Sequence, residues 1–223
     1  MTVADFIMDW ERETRTGVPE AVFCAGKTLD DIAAIVAAAR AQDRPLLLTR
    51  LSPDAWASLP EANRAGLDYD ARSRTACLGR RNAGPASPRS VVIVAAGTSD
   101  LGVALEAQRT LWFHSIDAPL IADVGVAGLW RLMSRIEDIR RHDVVIAVAG
   151  MEGALFSVLA GLVKAPVIAV PTSVGYGVAA GGQAALSSAL ASCSPGIATV
   201  NIDGGFSAAT LAKKILGISS SKT

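Results

Sequence analysis

In the second half of the chain, apolar residues come in short unbroken runs, and each run is followed by a stretch where they recur at helical spacing. The runs are "SVVIVAAG" (90–97), "APLIADVG" (118–125), "DVVIAVAG" (143–150), "APVIAVP" (165–171) and "GIATVNID" (196–203). The helical stretches are "SDLGVALEAQRTLWF", "VAGLWRLMSRIEDIRR", "MEGALFSVLAGLV", "GGQAALSSALASC" and "GFSAATLAKKILG". Runs without polar alternation predict strands buried on both faces, hence a parallel sheet. Five strands alternating with helices predict a doubly wound five-stranded α/β domain. Ligands in such domains bind outside the carboxyl ends of the strands.

The first part of the chain reads differently. Val3, Phe6, Ile7 and Trp10 fit one helical face, "AVFCAG" fits a short strand and "RPLLLTRL" a buried one. "KTLDDIAAIVAAARAQ" predicts a helix with Thr28 as N-cap, and Asp30 and Asp31 complement its positive end. "GRRNAGPASPRS" (79–90) is basic, then rich in proline and small residues, and reads as a linker. The division expected is a small α/β unit over 1–84, a linker over 85–89 and the doubly wound domain over 90–223.

Composition narrows the functional classes. The chain has 223 residues, 51% of them hydrophobic and 19% charged, which suits a packed core and excludes a disordered chain. Its 21 basic and 21 acidic residues balance, so nothing advertises nucleic acid or an anionic membrane as partner. Cys24, Cys77 and Cys193 lie far apart, which argues against a disulfide framework and a zinc site. The N-terminus "MTVADFIMDWERETRTG" does not read as a signal peptide, and a cytoplasmic location is expected. Between Lys164 and Asp203 no residue is charged. Pro166, Pro171, Pro195 and several glycines break this sector, so it reads as a buried sector, such as a subunit interface, rather than as a membrane span.

Chemistry is therefore sought at the strand ends. Gly97, Thr98, Ser99 and Asp100 form "GTSD": they suit a phosphate or ribose, and equally suit helix capping. Gly150, Met151, Glu152 and Gly153 form "GMEG", read with Glu152 in the first turn of a helix. Its carboxylate either complements the helix dipole or serves as a general acid or base. "VPTSVGYG" (170–177) either closes over a nucleotide or is a surface loop. Cys193, among alanines and serines, reads as a small core residue or as a nucleophile. Cys24 and Cys77 read as structural. His114 and His142 fall away from the strand carboxyl ends, where neither serves catalysis.

Taken together, "GTSDLGVALEA", "ADVGVAGLWRL", "VVIAVAGMEGALFSVLAGLVKAPVIAVPTSVGYG" and "SCSPGIATVNIDGGFSAA" resemble the nicotinic acid adenine dinucleotide carboxylase/hydrolase family. That family begins synthesis of the nickel-pincer nucleotide, the cofactor of lactate racemase, and is related to the phosphoribosylaminoimidazole carboxylases. The likeness is dense over residues 90–210 and reaches the first unit through "DWERETRTGVPEAVFCAGKT" and "LLLTRLS". It implies a flavodoxin-like domain, a homo-octamer built from dimers, carbon dioxide or bicarbonate as co-substrate, and magnesium held through the substrate phosphates. It assigns Cys193 as the nucleophile and Glu152 as the proton acceptor, both expected at ligand-facing ends. It also implies that Asp123, Val124, Gly125 and Val126, with Ala154, Pro171, Thr172, Ser173, Gly175, Tyr176 and Gly177, line the dinucleotide pocket. The imidazole carboxylases resemble one another in using a histidine after the second strand of the domain, where this chain reads "DVGVAG". "SCSPGI" departs from the family in its proline, which shifts the turn after Cys193. An imidazole ribonucleotide carboxylase or mutase, and a nucleotide-binding module without catalysis, are the alternative readings.

Overall fold

The structure is a computed structural model that describes residues 6–79 and 90–218. It divides into two compact units, the first within Met1–Asn82 and the second within Ala83–Thr223, with Phe113–Ser115 grouping with the first. Val3 and the expected linker at 85–89 lie outside the described residues.

The first unit holds α1 (Arg12–Thr16), β1 (Ala21–Phe23), α2 (Leu29–Ala41), β2 (Leu46–Thr49), α3 (Pro53–Ser58), α4 (Glu61–Arg64), β3 (Leu67–Asp70) and β4 (Thr75–Leu78). Its sheet has the order β1-β2-β4-β3, with β1 parallel to β2 and the other pairs antiparallel. Thr28 caps α2 as expected: its hydroxyl accepts from the Asp31 amide at 3.1 Å, while the Asp31 carboxylate accepts from the Thr28 amide at 3.0 Å. Ile32, Ile35, Val36 and Ala39 form the buried stripe that packs against Leu46 and Leu48. The helix expected over residues 3–10 is corrected. Residues 6–9 are not helical; Phe6, Met8 and Trp10 pack on the core while Ile7 is 95% exposed, an extended alternation of period two.

The second unit is the doubly wound domain. Its strands are β5 (Val91–Ala95), β6 (Leu120–Ile121), β7 (Val144–Ala149), β8 (Val167–Pro171) and β9 (Ile197–Thr199). Its helices are α5 (Leu101–Phe113), α6 (Leu129–Arg140), α7 (Ala154–Leu162), α8 (Gln183–Ala191) and α9 (Gly205–Gly217). The sheet is parallel throughout, in the order β6-β5-β7-β8-β9. This is the flavodoxin-like order, and its switch point lies between β5 and β7. The three central strands are buried at every position. Helices α6, α7 and α8 cover one face through Leu132, Ile136, Leu155, Phe156, Leu159 and Ala185. Helices α5 and α9 cover the other through Ala104, Ala107, Leu111, Ala208 and Ala212. The edge strands are shorter than their apolar runs. After Ile121 the backbone turns at Asp123, whose φ is 58°, and β9 ends before Val200. Among the described residues no helix is long and apolar enough to cross a membrane.

Candidate active site

A cleft of about 390 Å³ opens where the carboxyl ends of β5, β6 and β7 meet. It is lined from the β5 end by Ala96, Gly97, Ser99 and Asp100, from the β6 end by Asp123, Gly125, Val126 and Ala127, and by Arg131 of α6. The β7 end contributes Ala149, Gly150, Met151, Glu152, Ala154 and Leu155, and Val174 comes from the segment after β8. This is the crevice that the strand order requires.

Asp100 fastens this arrangement. It is 4% exposed. Its Oδ2 accepts from the Gly97 amide at 2.9 Å and its Oδ1 from the Thr172 hydroxyl at 2.7 Å. The Gly150 backbone also hydrogen-bonds to it. One carboxylate therefore ties the ends of β5, β7 and β8 together. Burial pushes its acidity above the usual carboxylate value, the bonds from Thr172, Gly97 and Gly150 pull it back, and the charge of Asp203 adds to the rise. The two readings of "GTSD" thus meet in one segment: Asp100 binds backbone and hydroxyl donors of its own chain, while Gly97 and Ser99 face the cleft.

Gly150 permits the crossing of the loops after β7 and β8. A Cβ there would strike the Val174 carbonyl and lie 2.6 Å from the Thr172 hydroxyl. The Met151 amide bonds to that same carbonyl at 2.7 Å. In the second unit, Asp123, Met151 and Asp203, three non-glycine residues that follow strands, have positive φ, of 58°, 53° and 57°.

Glu152 is exposed and lines the cleft. It lies in the turn before α7, whose N-cap is Gly153, and not in the first helical turn as expected. Its side chain therefore stands at the mouth of the helix, and α7 has no side-chain cap.

Of the other expected site residues, Gly97, Ser99, Asp100, Asp123, Gly125, Val126, Gly150, Met151 and Ala154 are brought together at the cleft. Thr98, Val124, Gly153, Pro171, Thr172, Ser173, Gly175, Tyr176 and Gly177 are not among its lining residues. Thr172 is fully buried and serves Asp100, whereas Tyr176 is 77% exposed. Sequence reasoning missed Arg131, a polar position within the amphipathic start of α6.

Cys193 requires a correction of place. It follows a helix and precedes a strand, so it lies toward the amino end of β9 and not at a carboxyl end. The start of α8 packs beside the cleft, where a Cβ on Gly153 would lie 3.1 Å from the Ala185 backbone. From Ala185 to Ala191 the helix descends about 9 Å, and Cys193 comes after that. There the turn is pinned to α7: the Ser157 and Ser192 hydroxyls are 2.7 Å apart, and the Ser194 hydroxyl donates to the Ser157 carbonyl at 2.9 Å. Cys193 is exposed, and it does not line the cleft of its own chain. Cys24 and Cys77 are buried, and burial pushes the Cys24 thiol up to about 12.

Among the described residues no three His, Cys, Asp or Glu side chains converge as a metal site.

Comparison with known proteins places these features in a family. The chain is 39% identical over 218 residues to the uncharacterized protein MJ0165 of Methanocaldococcus jannaschii, covering 95% of this chain and 84% of that protein. It is 35% identical over 131 residues to the N5-carboxyaminoimidazole ribonucleotide mutase of the same organism, covering 57% of this chain and 79% of the mutase. Crystal structures of Treponema denticola PurE and of a PurE2 variant superpose with TM-scores of 0.49 and 0.48, at 25% and 27% identity; each match covers 59% of this chain and 82% of the other. Residues 3–80 match the LarB/PurE-like N-terminal domain and residues 90–223 match AIR carboxylase. The chain belongs to the AIR carboxylase family, a membership that supports a carboxylase-type function.

Proposed function

We propose that the protein carboxylates the pyridinium ring of nicotinic acid adenine dinucleotide, coupled to hydrolysis of the phosphoanhydride, in which water adds across the P–O–P bond. The products are AMP and pyridinium-3,5-biscarboxylic acid mononucleotide. The observation that carries this reading is the make-up of the cleft: an exposed carboxylate, Glu152, lines it, and no histidine is among its lining residues. An aminoimidazole is already an electron-rich enamine, and its carboxylases resemble one another in moving a proton with a histidine. A pyridinium is electron-poor and must first accept a nucleophile.

The chemistry follows from that demand. A cysteine thiolate adds to the ring carbon opposite nitrogen, and the ring becomes a neutral enamine. The neighbouring carbon donates its electron pair to carbon dioxide, and a C–C bond forms. Glu152 removes the proton from that carbon, the thiolate leaves with its bonding pair, and aromaticity returns. Magnesium, held through the substrate phosphates, would neutralise charge in the phosphoanhydride.

Within one chain the thiol and the carboxylate stand apart. Cys193 therefore serves the cleft of a neighbouring copy, in the octamer built from dimers that the family resemblance implies. The uncharged sector over residues 165–202, with Leu190, three residues before Cys193, 70% exposed, supports a copy-to-copy contact at this face.

Incubation with labelled bicarbonate and either nicotinic acid adenine dinucleotide or aminoimidazole ribonucleotide tests the reading. Label is expected in the pyridine product. Label in the imidazole product alone favours a purine-type carboxylase, and label in neither favours a binding module.

A further inference from the structure

The cleft carries three carboxylates, Asp100, Asp123 and Glu152, against one basic side chain among the described residues that line it, Arg131. An anionic ligand meets net repulsion there unless it sits on that arginine. Arg131 lies in the first turn of α6, and its Nη1 donates to Asp123 Oδ2 at 2.7 Å. Its Nε is buried and has no protein acceptor. A half-exposed ion pair contributes little to stability, so the pair with Asp123 does not by itself account for a buried donor left open. Leaving such a donor unmade is unfavourable.

The backbone is shaped around the guanidinium. A Cβ on Gly128 would lie 2.8 Å from Nε and 3.1 Å from Nη2 of Arg131. The side chain thus folds against bare backbone, and a Cβ at 128 would make its tip shift. Asp123 fixes the other side of the fork. Across the cleft, the uncapped first turn of α7 contributes Ala154 and Leu155 to the lining. Helix N-termini favour anions.

We propose that Arg131 grips an oxyacid group of the ligand, a carboxylate or a phosphate, with Asp123 orienting the guanidinium and Gly128 leaving it room. A planar fork with open donors suits two oxygens of such a group. The choice of dinucleotide probes rests on the function proposed above; the anion-binding role does not.

The test is calorimetric titration of wild type, R131Q, R131K and G128A with four probes. These are nicotinic acid adenine dinucleotide, its ring-carboxamide counterpart NAD, aminoimidazole ribonucleotide and inorganic pyrophosphate. Thermal melts confirm that each variant is folded. R131Q is expected to weaken the acid dinucleotide about ten- to a hundredfold, the range for a charge-assisted bond. R131K should fall between, and G128A, which makes the arginine shift without removing it, should weaken binding less than R131Q. If the arginine reads the ring carboxylate, NAD binding is unaffected by R131Q; if it reads phosphate, all phosphate-bearing probes weaken together. Arg131-dependent binding of pyrophosphate or of the imidazole nucleotide, with neither dinucleotide bound, sinks the substrate reading and keeps the arginine's role. Equal behaviour of wild type and R131Q toward every probe, including no binding by either, overturns the proposal.

Discussion

The Thr172 hydroxyl donates to Asp100 Oδ1 at 2.7 Å in a fully buried position, so the end of β8 is held to the segment after β5 by a side chain and not by the sheet. Thr172→Val keeps the shape and deletes the donor. A hydrogen bond to a charged group is worth about 1.5–3 kcal/mol, and urea denaturation should show a loss of about 2 kcal/mol. Thr172→Ser should recover most of it. A valine variant as stable as wild type would show that the bond does not hold the loop.

Acidity at the same site gives a second expectation. The unfolded chain ionises Asp100 near the usual value of 3.8, whereas the folded chain, because of burial, keeps the proton to higher pH. Over that window the native state binds more protons than the unfolded one, so this group's contribution to stability falls as pH rises from 3.8 through the folded value, then levels off. Asp100→Asn lacks this titration. The stability difference between wild type and D100N should therefore shift toward the variant as pH rises from 4 toward neutrality, read by urea melts at each pH. A difference that is flat with pH would contradict the burial argument.

The thiols should separate by reactivity. Native protein treated with iodoacetamide at neutral pH should be alkylated at Cys193, which is exposed, while Cys24 and Cys77 resist until urea is added. Peptide mass spectrometry reads this directly. Rapid native labelling of Cys24 would contradict its burial and its thiol value of about 12.

Catalysis across copies has its own signature. C193A and E152Q should each lose most turnover, roughly a hundredfold or more for removing a nucleophile or a base. Subunits of the two variants, mixed and reassembled, should regain activity, because some clefts then pair an intact Glu152 with an intact Cys193. Inactive mixtures, with exchange verified by native mass spectrometry, would place both groups in one chain's cleft.

The central strands were legible because β5, β7 and β8 are buried at every position and so read as unbroken apolar runs. The edge strands were overdrawn, since an apolar run reports burial and not hydrogen-bonded pairing: β6 and β9 pair over only part of theirs. In the first unit the hairpin of β3 and β4 went unread, although Leu67 and Tyr69 alternate toward the core. At the site, the glycine turns were legible through close approach. Cys193 was misplaced although the order of elements already fixed its edge: in a parallel sheet, segments from helix to strand lie opposite those from strand to helix. Arg131 stays hidden although Asp123 and Gly128 share its stretch "ADVGVAGLWRL", because only the fold shows that the guanidinium turns back onto both.

The left-handed backbone at Asp123 and Met151 has a consequence for anyone seeking a hardier version of this protein. A long unbranched side chain held there costs about 1–2 kcal/mol, which makes Met151→Gly the natural target for thermal hardening, whereas aspartate tolerates the left-handed region and Asp123→Gly gains little. Asp123→Gly would in addition cut Arg131 loose from its only ion pair among the described residues, so any gain in endurance at that position would come with a freed guanidinium at the edge of the cleft.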